Sequence, residues 1–331
     1  MSANGCFALI MLLWGSLALA ADPQLHLISE HPVNGMRGGN LSGLALCGQT
    51  LWTVSDRDDD QIYRLDTRAT VWQAHPVVIH VPAVPNASDR PLKMKVLNGL
   101  ATLVHNVNLD YEAISCDDSG NRYVLSETYS AVLQITPNGE AFWLPILRNV
   151  VHVARTAGML QETNALFEGL AVAPRGNWLV LAAERERRGL VRVEASVDGW
   201  TCPVVNCVIR AEMGQEIQPP QFPDPQLVSL DFSDVALFGD KLFTLNRNAF
   251  KICRFALAPI ILPERCWSFA ADALTPPRLY PSIHGMAEAL VIDNQGAWVG
   301  IDNNSERRAD GEKRPVVFRF ASPSGGWLAK P

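Results

Sequence analysis

The sequence predicts an all-β chain that folds as a β-propeller with four-stranded antiparallel blades. Five segments repeat one order of parts, and their marker positions 42, 112, 168, 234 and 288 are separated by 70, 56, 66 and 54 residues. The spacing closes on itself when the two chain ends are joined, which is typical of a ring of repeated units. Five blades are favoured. Six blades are the alternative, with residues 81–110 and 148–164 as the places for a degenerate blade.

Each repeat begins with a short run of small and apolar residues, and in four of the five an acid lies at the start of that run. A turn containing Gly, Asn, Asp or Pro follows, and these residues supply the backbone conformations of tight hairpins. The second run is rich in aromatic and β-branched residues, as expected of a half-buried strand. It ends in polar residues before a third apolar run. The only candidate helix covers residues 150–166.

The N-terminal segment is typical of a secretory signal. Residues 7–20 form an apolar run too short to span a bilayer, and they end in a small-x-small cleavage pattern, although no Lys or Arg precedes them. We expect residues 1–20 to be removed and residues 21–331 to form one secreted or periplasmic propeller domain that does not insert into a membrane. A strand near Leu25 is expected to pair with the last blade and close the ring.

Composition limits the partners of the chain. Charged residues make up 19% of the sequence and the net charge is -6, without clustered Lys and Arg, so nucleic acid is not expected as a partner. A monomer is expected. Six cysteines follow residue 20, and an even number in an oxidising compartment indicates disulfides, with buried free thiols as the alternative. Pairing of sequence neighbours is the simplest connectivity: Cys47–Cys116, Cys202–Cys207 and Cys253–Cys266.

Polar residues at the strand ends are expected to meet at one mouth of the central channel. In a propeller the first strand of each blade lines the channel and the second returns antiparallel to it. The start of strand one and the end of strand two therefore lie together. The acids at the start of strand one are Glu112, Glu168, Asp234 and Glu288. The polar ends of strand two are Asp56, Glu127, Glu184, Asn246 and Asp302.

Such a ring of acids needs compensation, because close carboxylates repel one another and burial disfavours their charge. A bound cation, neighbouring Arg or protonation can supply it, and Arg57, Arg185 and Arg247 follow strand two in three repeats. Ligands that are all oxygen favour a hard ion, so Ca²⁺ is the predicted cofactor. The alternative is that the acids accept hydrogen bonds from backbone amides or pair with Arg, and so link neighbouring blades.

The sequence also limits the chemistry that this mouth can perform. It contains no G-x-S-x-G nucleophile motif, no phosphate-binding loop and no dinucleotide motif, so hydrolysis would need a metal and a water nucleophile. His284 lies four residues before Glu288 and is a candidate acid or base. The alternative for His284 is an exposed loop residue without a chemical role.

Four stretches resemble the phytase-like family, which comprises exported propellers described as having esterase-like activity of phytase. They are residues 164–171 with Glu184, residues 231–236, residues 242–247 and residues 297–303. The resemblance extends over residues 21–331 and implies a carboxylate-rich mouth with phosphoesterase or esterase activity. The sequence departs from the family pattern at Asn246, where Glu is favoured, and at Ser42, which replaces the acid of the first repeat. The acid-rich signature of propeller phytases, in which several adjacent Asp residues bind multiple calcium ions, is not visible, so phytate hydrolysis is not expected.

These observations assign roles to individual side chains. The predicted catalytic residues are Glu168, Glu184, Arg185, Arg247 and His284. The predicted Ca²⁺ ligands are Glu112, Glu168, Asp234, Glu288, Asp302 and Asn303. The predicted function is metal-assisted hydrolysis of a small anionic ester, either a phosphate or a carboxylate ester. Two alternatives are a noncatalytic propeller of the cell envelope that binds a small ligand or a protein, and a lactonase-type calcium propeller.

Overall fold

The chain forms an all-β propeller in which antiparallel sheets surround a central channel, and this confirms the predicted class. The computed structural model describes residues 22–84, 109–146, 148–162, 165–203, 206–258 and 261–330. Within them, the strands fall into five antiparallel units, each of which begins at the channel and ends at the outside, and one separate hairpin.

The first three units follow the chain in order. The first contains β2 (Gly43–Cys47), β3 (Thr50–Val54), β4 (Gln61–Asp66) and β5 (Trp72–Val78). The second contains β6 (Tyr111–Cys116), β7 (Arg122–Ser126), β8 (Ala131–Ile135) and β9 (Ala141–Trp143). The third contains β10 (Phe167–Val172), β11 (Trp178–Ala183) and β12 (Arg188–Ser196), and both β13 (Gly199–Thr201) and β14 (Val208–Glu212) pair with β12.

A short hairpin and two more units complete the described strands. The hairpin consists of β15 (Gln215–Ile217) and β16 (Leu227–Ser229). The fourth unit contains β17 (Asp234–Phe238), β18 (Lys241–Asn246), β19 (Lys251–Ala256) and β20 (Pro263–Ser268). The fifth contains β21 (Ala287–Asp293), β22 (Gly296–Ile301), β23 (Val316–Ala321) and, as its outer strand, β1 (Leu27–Asn34).

The first strands of the units pack side by side around the channel, in the order β2, β6, β10, β17, β21 and back to β2. Small residues make this close packing possible. A Cβ atom on Gly43 would lie 2.8 Å from the Cα atom of Ala113, and a Cβ atom on Gly169 would lie 3.0 Å from the Cα atom of Asp234. The small apolar runs of the sequence are therefore the channel-lining strands.

The N-terminal strand closes the ring as the sequence predicts. Strand β1 pairs antiparallel with β23, so that Glu30 lies opposite Phe318, and its end pairs parallel with β5, so that Val33 lies opposite Trp72. The buried side chain of Val33 packs in one cluster with Leu41 and Val317. The first and last strands of the fold thus share one core, and neither is left as a free sheet edge.

Three disulfides confirm the pairing of sequence neighbours. The Cys47–Cys116 bond joins β2 of the first unit to β6 of the second, with Cα atoms 5.8 Å apart. Cys253 and Cys266 are directly opposite on β19 and β20. Cys202 and Cys207 close a short loop between β13 and β14. Only the first of these bonds covalently connects two propeller units.

Helices are few in the described residues. Helix α1 (Arg148–Thr156) lies where the sequence offers its one helical stretch, and residues 148–162, one of the two places for a sixth blade, contain no strand. The other place lies mostly in residues 85–108, outside the described residues. Helix α2 (Ala270–Ala273) and a 3₁₀ turn at Pro276–Arg278 connect the fourth unit to the fifth. None of the described helices is long and apolar enough to cross a membrane.

Candidate functional site

A cavity of about 800 Å³ opens at one mouth of the channel, where strand one of each unit begins and strand two ends. Its lining combines acids and arginines from all five units. Of the residues singled out from the sequence, it is lined by Asp56, Glu112, Glu127, Glu168, Arg185, Arg247, His284, Glu288 and Asp302. Side chains far apart along the chain therefore meet at one place.

Local irregularities in strand one direct three glutamates to this mouth. Pairing of β6 with β7 slips by one residue between Tyr111 and Ala113, so Glu112 has no regular partner. The same slip occurs at Glu168 in β10 and at Glu288 in β21. A β-bulge turns the extra residue out of the alternating pattern of the strand and re-aims its side chain. The small residue after each Glu belongs to the same bulged run.

Arg247 lies at the centre of the half of the mouth in which the acids contact arginines. It follows β18, its side chain is only 13% exposed, and it donates hydrogen bonds to Glu184 and Glu288. The Asp231 carboxylate lies 3.4 Å from its Nε atom, and the Glu168 carboxylate lies 3.8 Å from its Nη1 atom. One guanidinium therefore contacts four carboxylates, which come from the third, fourth and fifth units.

Glu184 lies beneath the mouth and connects the two arginines. Its side chain is fully buried, and its Oε1 atom accepts hydrogen bonds from both Arg185 and Arg247. Its Oε2 atom has no partner among the described residues. Arg185 is more accessible, with 35% of its side chain exposed in the cavity. Arg185 is therefore the cation of this half that remains open to an anionic group in the cavity.

The second unit supplies a cluster of acids on the other side of the mouth. Carboxylate oxygens of Asp110, Glu112 and Glu127 lie within 4.8 Å of one another. The Oε1 atom of Glu127 is buried and has no hydrogen-bond partner among the described residues, and the same is true of Oδ1 in the neighbouring Asp56. Asp56 pairs with Arg57 at 3.2 Å. Buried carboxylate oxygens without donors are the part of the mouth that lacks compensation.

The electrostatics of the cluster follow from this shortage of donors. Burial, reinforced by the charge of Asp56, raises the pKa of Asp110 to about 6. Burial and the neighbouring acids raise the pKa values of Glu112 and Glu127 well above their usual range. Burial also raises the pKa of Glu168, but Arg247 and Arg185 oppose that shift. The cluster must therefore hold either protons or a cation.

The donor set of this cluster fits a hard divalent ion. Asp110, Glu112 and Glu127 offer only oxygen ligands, and Ca²⁺ and Mg²⁺ prefer such ligands. An unpartnered buried oxygen on Glu127 adds an acceptor that no protein donor satisfies. Within the part of the chain that the structure describes, these three residues, all from the second unit, lie close enough together to hold a metal.

This grouping differs from the ligand set expected from the sequence. Glu112 belongs to the cluster, whereas Glu168 and Glu288 lie beside Arg247. Asp302 lines the mouth, accepts a hydrogen bond from the Asn304 amide, and has its pKa raised by burial to about 7.

Asp234 and Asn303 are directed elsewhere. Strand β17 has no bulge, and the Asp234 carboxylate accepts hydrogen bonds from the amides of Val235 at 2.8 Å and Leu290 at 2.7 Å. Asp234 thereby links the fourth unit to the fifth, which is the alternative that the sequence leaves open for its acids. The Asn303 side chain donates to the carbonyls of Glu306 and Lys313 and orders the following loop.

His284 lies at the rim in the loop before β21. Its imidazole is exposed, and its backbone amide donates to the hydroxyl of Ser282. Partial burial lowers the pKa of His284, and the charges of Arg247 and Arg185 lower it further. The ring is therefore neutral at pH 7 and able to accept a proton from a group in the mouth.

Two site residues escape the sequence pattern. Asp110 stands two residues before Glu112 in a backbone conformation with φ of +55°, and Asp231 stands three residues before Asp234. Both precede the aromatic residue that begins the repeat. A second acid just upstream of the strand-one acid, present in these two repeats, is the signal that could find them.

Comparisons with known structures give weak overall similarity at low identity. Glutaminyl cyclase from Myxococcus xanthus is 10% identical, with 91% of this chain and 97% of that chain covered and a TM-score of 0.47. Aldose sugar dehydrogenase from Streptomyces coelicolor is 10% identical, with coverages of 91% and 100% and a TM-score of 0.44. A gluconolactonase from Xanthomonas campestris is 11% identical, with coverages of 85% and 72% and a TM-score of 0.41.

Sequence comparison identifies the family. No curated protein sequence matches the chain significantly. The sequence pattern of the phytase-like family, described as esterase-like activity of phytase, matches residues 37–250. That range covers well over half of the 331 residues and includes Asp110, Glu112, Glu127, Glu168, Glu184, Arg185, Asp231 and Arg247. The chain therefore belongs to the phytase-like family.

Proposed function

We propose that this protein is a metal-assisted hydrolase of a small anionic ester, either a phosphate or a carboxylate ester, and that the reaction takes place at the channel mouth. One observation carries the proposal. Two acids of the three-acid cluster, Glu112 and Glu127, line the same cavity as two arginines, and Glu127 keeps an unpartnered buried oxygen. A cation site and an anion site side by side are what hydrolysis of a charged ester requires.

Each half of the mouth has its own part in the proposed reaction. Asp110, Glu112 and Glu127 would hold the cation. When bound, Ca²⁺ or Mg²⁺ supplies a Lewis acid and lowers the pKa of a coordinated water. Arg185 and Arg247 bind and orient the anionic oxygens of the ester.

Glu168 is the proposed proton acceptor. It contacts Arg247, and its charge contributes to the raised pKa values of Glu112 and Glu127, so it lies between the two halves. Burial raises the pKa of Glu168, while the charges of Arg247 and Arg185 oppose that shift. A carboxylate whose pKa is raised is a better proton acceptor from water than an ordinary exposed one.

The test combines metal content with turnover. Purified protein is expected to contain stoichiometric Ca²⁺ or Mg²⁺ by mass spectrometry and to hydrolyse p-nitrophenyl phosphate or p-nitrophenyl acetate, with loss of both properties after chelation. Glu127→Gln should lower metal affinity roughly tenfold or more. Glu140→Gln, which alters an exposed acid of the same unit, is the matched control and should leave both unchanged. Metal-free protein with chelator-insensitive turnover would contradict the proposal.

The proposal includes export from the cytoplasm. The three disulfides are typical of oxidising compartments, and the apolar segment at residues 7–20 precedes the first described strand. N-terminal sequencing of protein recovered from the medium or periplasm is expected to begin near residue 21. A cytoplasmic protein with reduced cysteines would be inconsistent with this location.

A noncatalytic binding role at the same mouth is the second candidate. It is supported by the contacts of Arg247, which already pairs with four carboxylates and resembles a structural centre as much as a substrate-binding one. Under this alternative, an anionic ligand raises the melting temperature without being consumed. If the unmodified protein hydrolyses an ester and Arg185→Met abolishes that hydrolysis, the result would favour the hydrolase over the binding role.

A further inference from the structure

A second cavity, of about 580 Å³, adjoins the mouth and has a different character. It lies between the fourth and fifth units, against the loop that contains α2 and the 3₁₀ turn. Its walls are mostly apolar and include Phe222, Phe250, Leu274, Met286 and Phe318. Small-molecule sites have volumes of about 300–1,000 Å³ and predominantly apolar walls, so this cavity has the dimensions and lining of a ligand pocket.

The two cavities share a wall. Gln226, Ser282, Ile283, His284 and Met286 line both of them. The two cavities therefore lie next to each other along residues 282–286.

The shared wall is held in place from both sides. The Gly285 amide donates to Asn248 Oδ1 at 3.0 Å, and Gln218 Nε2, on a buried side chain, donates to the Ile283 carbonyl at 2.8 Å. A Cβ atom on Gly285 would lie 2.1 Å from the Arg247 carbonyl oxygen, so the segment packs directly against the mouth. The apolar cavity thus has a fixed position relative to Arg247.

The polar groups of the cavity disfavour an anionic occupant, because the lining includes the acid Asp224. The Arg278 guanidinium is already engaged by Glu30, the Asp272 carbonyl and Thr275. The Tyr280 hydroxyl is buried and has no hydrogen-bond partner among the described residues. An apolar group with at most one polar atom near Tyr280 matches this lining.

We propose that this cavity binds the apolar aryl or acyl group of the anionic ester whose charged end lies at the mouth. The inference rests on the proposed function and deepens it, because it selects esters with a bulky apolar substituent over small hydrophilic ones. Transfer of an aryl group from water into the apolar cavity contributes affinity that acetate or inorganic phosphate cannot obtain.

Equilibrium binding tests this proposal without relying on turnover. Calorimetry compares 2-naphthoate, an aryl carboxylate, with acetate in the presence of Ca²⁺, and 2-naphthoate should bind at least about tenfold more tightly. Ala273→Phe fills the cavity from helix α2, where Ala273 is buried and lines the wall, and should abolish this preference. Ala271→Phe adds the same side chain at an exposed position of α2, outside the lining, and should retain the preference.

A second variant avoids the risk that Ala273→Phe does not fold. Ile283 is 63% exposed and lines both cavities, so Ile283→Ser should preserve folding while lowering the naphthoate-to-acetate preference about threefold. Equal affinities of 2-naphthoate and acetate for the unmodified protein would overturn the proposal, as would an unchanged preference in both variants. If the protein binds 2-naphthoate selectively but hydrolyses no ester, the cavity binds apolar groups as proposed and the proposed hydrolase activity is refuted.

Discussion

Arg247 sets the charge balance at the mouth. Its guanidinium contacts Glu168, Glu184, Asp231 and Glu288, and Arg185 adds a second cation beside Glu184. Burial raises the pKa values of Asp231 and Glu288 to about 8, so these acids keep protons that would be lost in water. Removal of one partner from a buried ionic network leaves uncompensated charge and is costly.

Replacement of Arg247 should therefore destabilise the whole protein. We expect Arg247→Met to lower the free energy of unfolding by about 3–5 kcal/mol at pH 8, because buried carboxylates lose their counter-ion. The loss should be smaller at pH 5. The folded variant binds more protons than the unfolded chain, so its stability falls as pH rises through the raised pKa values. Urea denaturation at both pH values measures the effect.

Arg185→Met is the comparison for this experiment. Arg185 pairs with the same Glu184 but is 35% exposed, so its loss should cost less than about 1 kcal/mol. Equal destabilisation by the two substitutions would show that Arg247 has no special structural role.

At the scale of elements, one covalent bond connects neighbouring units of the propeller. The Cys47–Cys116 bond spans 69 residues of sequence, whereas Cys202–Cys207 spans five. A disulfide that closes a longer loop restricts the unfolded chain more. Cys47→Ser with Cys116→Ser should lower the free energy of unfolding by about 4 kcal/mol, and Cys202→Ser with Cys207→Ser by about 2 kcal/mol. Chemical denaturation without reductant measures both, and the reverse order would contradict the loop-length argument.

Strands and turns are the elements that the sequence predicts best. The repeated apolar runs coincide with the first three strands of each unit, and the turn predicted after the first run of the first repeat is the β2–β3 turn, where Gly48 has a φ of +63°. These elements are local, because a short run of residues and its turn determine them. Most of the walls of the apolar cavity come from residues 222–226 and 273–286, which have no period and acquire their positions through contacts such as Gln218 with Ile283.

The site is less predictable than the strands, for a reason visible in strand one. Glu112, Glu168 and Asp234 occupy equivalent places in the repeat, yet only the two glutamates lie on β-bulges. A one-residue slip decides whether an acid faces the mouth or bonds to neighbouring amides, and composition does not encode the slip. The convergence of acids and arginines follows from the fold, but their division into an arginine half and a cluster around Asp110 does not.

At the scale of the molecule, ring closure by β1 places side chains of the first and last units in one buried cluster. A substitution in that cluster should therefore destabilise both units. Val33 is 1% exposed and packs with Leu41 of the first unit and Val317 of the last. We expect Val33→Asp to lower the free energy of unfolding by about 3 kcal/mol or more, because it buries an unpaired charge. Ile28→Asp changes a residue of the same strand that is 61% exposed and should have little effect.

The readout for Val33→Asp is the coincidence of two signals. Tryptophan fluorescence and far-ultraviolet circular dichroism should report one transition, shifted to lower urea by the same amount in both. An early transition confined to part of the signal would indicate that the first and last units unfold independently of the others.

The pairing of β1 with β23 also determines when the protein can finish folding during biosynthesis. Leu27 is opposite Phe320, so the first of the described strands to leave the ribosome must wait for the last of them. At a synthesis rate of about 5–20 residues per second, this wait lasts roughly 15–60 s. Throughout that interval β1 carries unpaired amide and carbonyl groups, which a chaperone or a secretion channel can engage before the circle is complete.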